Sequence, residues 1–257
     1  MPVFTKHEPG TFSWADLSTS DVDAAISLYT ELFGWEVEKE DLPDGGVYAM
    51  ARVGGKDAAA ISPLQPQQAE MGVPPHWNVY VTVEDAEQAA KECEAAGGSI
   101  HAPAFDVMDY GRMAVISDPT GAFFCVWEPK KTIGAQVLGD KNTLGWCELL
   151  TGEPEKAVNF YCEVFGYGQQ PFGDTGYTVL TRGETQIAGV MKPPMEMPSN
   201  WGVYFITDDV DGAAAKTKAA GGQAFMEPTD MPEIGRLAVL ADPQGAAFGV
   251  ITGSMDS

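Results

Sequence analysis

The stretch from Trp14 to Trp35, WADLSTSDVDAAISLYTELFGW, returns as Trp146 to Tyr167, WCELLTGEPEKAVNFYCEVFGY, and this recurrence limits the possible folds more than any other feature of the chain. Trp14 matches Trp146, Asp16 matches Glu148, Tyr29 matches Tyr161, and Phe33-Gly34 matches Phe165-Gly166, all at one offset of 132 (146 − 14). A second block recurs at an offset of 124 (201 − 77), in which Trp77 matches Trp201, Tyr80 matches Tyr204 and Arg112 matches Arg236. It ends with Asp118-Pro119-Thr120-Gly121 against Asp242-Pro243-Gln244-Gly245. A period of this length is too long for a solenoid repeat and suits a duplicated domain.

Within each copy the hydrophobic pattern switches between two periods. Thr11 to Ser18 alternates, as a strand does. Val22, Ile26, Tyr29 and Phe33 then recur at helical spacing behind a candidate N-cap, Asp21, and Gly34 closes the helix. Three short strands follow at Trp35 to Lys39, Val47 to Val53 and Ala58 to Pro63, with turn signals at Pro43-Asp44-Gly45-Gly46 and Gly54-Gly55. Trp77 to Trp127 repeats the β-α-β-β-β plan. The fold class expected is therefore α+β: two tandem modules, each a pair of β-α-β-β-β units with mixed sheets curled around a cavity. Residues 1–130 form the first module, 131–143 a polar linker where proteases should cut first, and 144–257 the second.

Composition narrows the partners. The chain carries 37 acidic and 15 basic residues, a formal net charge of −22, and such a field repels nucleic acid and anionic membrane surfaces. No apolar run approaches the roughly 20 residues of a spanning helix, and the N-terminus lacks the apolar core of a signal peptide, so a cytoplasmic protein is expected. Cys93, Cys125, Cys147 and Cys162 show no CxxC spacing and read as thiols of a reducing compartment. Monomer and homodimer both remain open.

The paired units, the FYxxLFGW-like helix exits (Tyr29, Phe33-Gly34-Trp35; Phe160-Tyr161, Phe165-Gly166) and the DPxG turns resemble the vicinal oxygen chelate superfamily of glyoxalases, bleomycin-resistance proteins and extradiol dioxygenases. Within it, GTFSWADL, WNVYVTV and GRMAVISDPTGA are similar to two-module actinobacterial proteins related to a mycobacterial culture-filtrate antigen. The resemblance implies a cavity in each module as the seat of function. Metal-dependent members place His or Gln, His and Glu on the first, fifth and last strands of a module. Those positions here carry Trp14, Asn78 and Cys125 in the first module and Trp146, Gly202 and Gly249 in the second. No metal and no other cofactor is expected; His76, two residues from a ligand position, is the one histidine near enough to restore one.

If those positions face inward, alternation also turns Phe12, Asp16, Tyr80, Phe123 and Trp127 inward. A wall of Trp14, Tyr80, Phe123 and Trp127 around Asp16, Asn78 and Cys125 suits a flat, small aromatic or quinone-like molecule. The second module offers Trp146, Glu148, Tyr204 and Ile251, a thinner aromatic set, so the first cavity is expected to be the working one, with Trp14 as its central wall. Asp16 and Glu148 are the candidate catalytic groups, since a carboxylate among aromatic rings has its pKa pushed up toward a useful range. The competing role is an ion pair with Arg112 and Arg236, which would also place Arg112 at the ligand site. A metal-independent enzyme on such a molecule, a protein that only sequesters it, and, least supported, a metal-dependent glyoxalase or dioxygenase are the three functions these residues allow.

Overall fold

The computed structural model describes residues 3–42 and 46–253, so the turn signal at Pro43 to Gly45 lies outside the described residues. The first unit runs β1 (Phe12–Thr19), α1 (Val22–Phe33), β2 (Glu36–Asp41), β3 (Val47–Val53) and β4 (Lys56–Pro63). A short helix, α2 (Pro66–Glu70), occupies the proline-rich connection. The second unit runs β5 (His76–Thr82), α3 (Ala86–Ala95), β6 (Ser99–Val107), β7 (Gly111–Ser117) and β8 (Phe123–Pro129). The third is β9 (Leu144–Leu150), α4 (Pro154–Phe165), β10 (Gly168–Pro171), β11 (Thr178–Arg182) and β12 (Thr185–Met191). The fourth is β13 (Asn200–Ile206), α5 (Val210–Ala219), β14 (Gln223–Met231), β15 (Gly235–Ala241) and β16 (Ala247–Ile251). The expected plan holds four times.

Local chemistry sets the helix ends. Asp21 accepts from the Ala24 amide at 3.0 Å, which satisfies one of the orphan donors of α1. Gly34 stops the helix at φ 65°, a left-handed position that a Cβ disfavours, and its amide returns to the Thr30 carbonyl.

Each module is one eight-stranded mixed sheet, ordered β2-β3-β4-β1-β5-β8-β7-β6 and β10-β11-β12-β9-β13-β16-β15-β14. Neither closes into a barrel. The two units of a module join where β1 runs antiparallel to β5, and β9 to β13. Alternation along β1 sends Ala15 and Leu17 to the helix-bearing face and Trp14, Asp16 and Ser18 to the opposite, front face. A register shift between Phe12 and Trp14 breaks that alternation. Phe12, expected on the front face, therefore turns to the helix side, where its ring lies 4.8 Å from that of Trp201.

The helix-bearing faces of the two sheets pack on each other, and one continuous core draws residues from both modules. Trp77 meets Phe205 at 5.0 Å between ring centroids, and Phe33 meets Phe205 at 5.1 Å. Burying one such ring is worth roughly 1.5–3 kcal/mol, so this seam is a main source of stability. Helix α1 lies beside α5, and α3 beside α4, which gives the arrangement a two-fold character.

The stretch expected to be an exposed linker is instead an ordered strap. Ala135 and Val137 are fully buried. The Ala135 amide donates to the Ser13 carbonyl at 2.8 Å, the Gln136 amide to Asp57 at 2.7 Å, and the Phe4 amide to Gln136 at 2.8 Å. His7 Nε2 lies 2.6 Å from the Ala135 carbonyl and donates to it. Gly134 sits at φ 98°, and a Cβ there would come within 2.7 Å of the Ser13 carbonyl, so only glycine fits.

Candidate active site: a carboxylate under tyrosines in each module

The front face of the first sheet gathers Trp14 and Asp16 from β1, Tyr48 from β3, Asn78 and Tyr80 from β5, and Cys125 and Trp127 from β8. Asp16 stands at the centre. Its Oδ2 accepts from the hydroxyls of Tyr80 at 2.8 Å and Tyr48 at 3.2 Å, and its Oδ1 from the Asn78 amide at 2.9 Å. Asn78 also donates to the Ser18 hydroxyl at 3.1 Å, and Trp14 Nε1 to Tyr48 at 3.1 Å. Burial raises the Asp16 carboxyl above its ordinary range, while the three donors and the His76 charge pull it back. Desolvation and the Asp16 charge push Tyr48 and Tyr80 well up, so both stay protonated donors. Cys125 is raised by the same burial and stays a thiol; a nucleophilic role would need a basic neighbour that this cluster lacks among the described residues.

The second sheet repeats the pattern with sparser contacts. Trp146 Nε1 donates to the Tyr177 hydroxyl at 2.8 Å, and Tyr204 donates to Glu148 Oε2 at 2.8 Å. Burial raises Glu148, and its bonds with Tyr204 and Tyr177 oppose the rise. Position 202, opposite Glu148 where Asn78 stands opposite Asp16, is glycine. Tyr204 lies against Gly249, the counterpart of Cys125, where a Cβ would fall 2.1 Å from its ring.

Three expected positions are corrected. Arg112 does not meet Asp16: alternation along β7 turns Met113 and Val115 to the front and Arg112 to the helix side, where it reaches Glu87 at 3.4 Å and the Ala104 carbonyl at 3.3 Å. Arg236 likewise pairs with Asp211 at 2.6 Å, so neither carboxylate is held by an arginine. Phe123 opens β8 ahead of its ladder with β5; it is 54% exposed and stacks on His101 at 4.3 Å, outside the cluster.

The sequence reading missed Tyr48 and Tyr177, the tyrosines that link each tryptophan to its carboxylate. Applying the duplication to the start of the third strand of each unit, at an offset of 129 (177 − 48), would have found them. It also missed Ala135 and Leu138, which reach the first front face from the strap.

The positions that hold metal in metal-dependent members do not fit a hard divalent cation. Trp14 offers an N–H donor already committed to Tyr48, Cys125 a neutral thiol, and Asn78 one neutral amide oxygen, its NH2 being given to Asp16 and Ser18, so the three positions supply no histidine and no carboxylate. Their counterparts are Trp146, Gly202 and Gly249. Among the described residues no three His, Cys, Asp or Glu side chains converge. The remaining histidines are engaged elsewhere: His76 with the Pro74 carbonyl at 2.8 Å, and His101 with the Ser117 hydroxyl at 2.9 Å.

Duplicated β-α-β-β-β sheets with a polar centre on the front face define a class of small-molecule proteins. The chain belongs to the glyoxalase/bleomycin resistance protein/dioxygenase superfamily, whose family model matches residues 11–126 and 143–250. It is 44% identical over 98% of both chains to CFP32 of Mycobacterium tuberculosis (strain CDC 1551 / Oshkosh), which bears a glyoxylase label. It is 35% identical to the anthracycline biosynthesis protein DnrV of Streptomyces peucetius, covering 96% of this chain and 94% of that one. Two solved structures share the fold: a Mn(II)-bound glyoxalase from Novosphingobium aromaticivorans (TM-score 0.67, 14% identity, covering 95% of this chain and 83% of that one) and the 2,2',3-trihydroxybiphenyl 1,2-dioxygenase of Sphingomonas wittichii strain RW1 (TM-score 0.66, 14% identity, 96% and 91%). At that identity the likeness concerns the fold alone. Among the described residues no helix is long and apolar enough to cross a membrane.

Proposed function

We propose that this chain is an enzyme that uses a buried carboxyl, without a metal, for acid-base chemistry on a small aromatic or quinone-like molecule. The observation that carries this reading is the repeated carboxylate, tyrosine and tryptophan constellation, with burial raising Asp16 and Glu148 in both modules. A raised carboxyl can give its proton to a carbonyl oxygen or take one from a phenol, and the tyrosine hydroxyls hold its orientation. The relatives named for anthracycline biosynthesis favour an aromatic substrate of this kind. Four free thiols fit a cytoplasmic setting.

Turnover of hydroxylated naphthoquinones and anthraquinones by the purified chain, followed by chromatography, tests the reading. One of the two variants, Glu148→Gln or Asp16→Asn, should lower kcat/KM about 100-fold or more, the usual share of a general acid or base at the module that meets the substrate. Full turnover by both variants would defeat it, and one equivalent of zinc, manganese or iron per chain in elemental analysis would defeat its metal independence.

One observation favours a second reading, a protein that sequesters its ligand. Asp16 is already engaged by three protein donors, which suits a fixed structural group. Stoichiometric binding with the ligand recovered unchanged would select it.

A further inference from the structure

The two front faces are built alike, yet the side chains around the carboxylate are less buried in the second than in the first. In the first module Trp14 and Asp16 are each 6% exposed and Trp127 is 8% exposed. Trp127 donates to the Thr132 carbonyl at 2.9 Å, so the strap is tied to the edge of the cluster. Ala135 and Leu138 of that strap pack against it directly. The aromatic set that marked this face as a ligand site is packed upon itself and capped.

In the second module Trp146, Glu148, Tyr177 and Tyr204 are all half-buried. Ile251 replaces Trp127, and among the described residues the apolar neighbours of Tyr204 come from its own sheet. Three substitutions clear the floor. Gly189 and Gly249 stand where Ala60 and Cys125 stand in the first module. A Cβ at Gly189 would fall 1.8 Å from the Tyr177 hydroxyl and one at Gly249 2.1 Å from the Tyr204 ring, so both tyrosines lie close against the backbone. At Gly202 a Cβ would meet only the Glu148 carbonyl, at 3.7 Å. Position 202 thus carries no side chain in the place of Asn78, and among the described residues the amide donor that Asn78 supplies to Asp16 has no counterpart for Glu148.

We propose that the second module holds the ligand, a flat aromatic bearing a hydroxyl group: its ring lies over Gly202, beside Trp146 and Tyr204, and its hydroxyl donates to Glu148 where an amide donates to Asp16 in the first module. The first module is then a closed copy whose asparagine and strap take the ligand's place. A hydroxylated ring suits Glu148 because a carboxyl keeps an acceptor oxygen whether or not it carries its proton. The substrate class rests on the function proposed above; the assignment to the second module rests on packing alone.

Two measurements test these parts separately. Dicyclohexylcarbodiimide adds to a protonated carboxyl in an apolar site and leaves a stable N-acylurea, which peptide mass mapping locates. Glu148 should be modified at least tenfold faster than Asp16, and faster modification of Asp16 overturns the assignment. The dye 1,4-dihydroxyanthraquinone should protect Glu148, and Gly202→Asn should weaken its binding at least tenfold while the chain still folds, since a Cβ at position 202 comes no closer than 3.7 Å, to the Glu148 carbonyl. Undiminished dye binding by Gly202→Asn overturns the proposed site. Preferential labelling of Glu148 in a wild-type chain that fails to bind the dye upholds the open second module and overturns the hydroxyaromatic ligand, and with it the substrate class proposed above.

Discussion

The hydroxyl of Tyr29 donates to Asp242 Oδ2 at 3.2 Å, across the boundary between the modules, and Tyr161 returns the same bond to Asp118 at 3.0 Å. Each tyrosine also accepts from an indole, Trp77 at 3.2 Å and Trp201 at 2.8 Å. The other oxygen of each aspartate caps its own DPxG turn, Asp118 to the Thr120 and Ala122 amides and Asp242 to those of Gln244 and Ala246. A turn signal in one half is thus a hydrogen-bond acceptor for the helix of the other.

Tyr29→Phe should destabilise the whole chain by about 1–3 kcal/mol, because it leaves a buried carboxylate oxygen and a buried indole N–H without partners. Urea unfolding should remain a single transition by fluorescence and circular dichroism alike. Two separated transitions in the wild type would show that the shared core does not couple the halves.

Limited proteolysis should spare 132–138, the reverse of what a polar linker leads one to expect. Gly134→Ala should cost about 1–3 kcal/mol in strain and open that segment to cleavage, since its φ of 98° and the nearby Ser13 carbonyl exclude a Cβ. A wild-type chain cut there before any other site would refute the buried strap.

Stability should respond to pH through Asp16. Its carboxyl is raised above the ordinary value of about 4, so its stabilising contribution is complete below that unfolded value and is lost as pH rises through the folded one. The difference in melting temperature between Asp16→Asn and wild type should therefore move in favour of the variant from pH 4 to pH 7. Movement in the opposite direction would mean that the bonds from Tyr80, Tyr48 and Asn78 outweigh the burial.

Trp14→Ala should cost about 3–5 kcal/mol, as truncation of a packed core aromatic does, and Trp146→Ala clearly less, because Trp146 is only partly buried. Denaturant midpoints for the two variants make the comparison. Equal losses would place both tryptophans in comparable packing.

The element order was legible because the two periods of the hydrophobic pattern and the duplication reinforce each other; Asp21 and Gly34 are caps in the sequence and in the structure. The central carboxylates were legible for the same reason, as period-2 partners of the tryptophans. Alternation failed at Phe12, where a register shift turns the ring over, and it could not say that Phe123, at a strand's start, stays exposed. Arg112 misled because matching positions in two repeats establish equivalence, not direction; one residue of parity sends it to Glu87. The strap escaped notice because polar, glycine-containing composition fits an exposed linker, whereas its burial depends on backbone bonds to Ser13 and Asp57 that no local pattern encodes.

A single module would present Trp77, Phe124 and the buried flank of its helices as a large apolar surface, and would have to find a second copy to cover it, with a stability that rises and falls with protein concentration. Joining two copies in one chain makes that encounter intramolecular, so the pair stays matched at any dilution. It also removes the symmetry a homodimer would impose: two positions that a dimer must keep identical are free to differ, and Asn78 and Gly202 have done so.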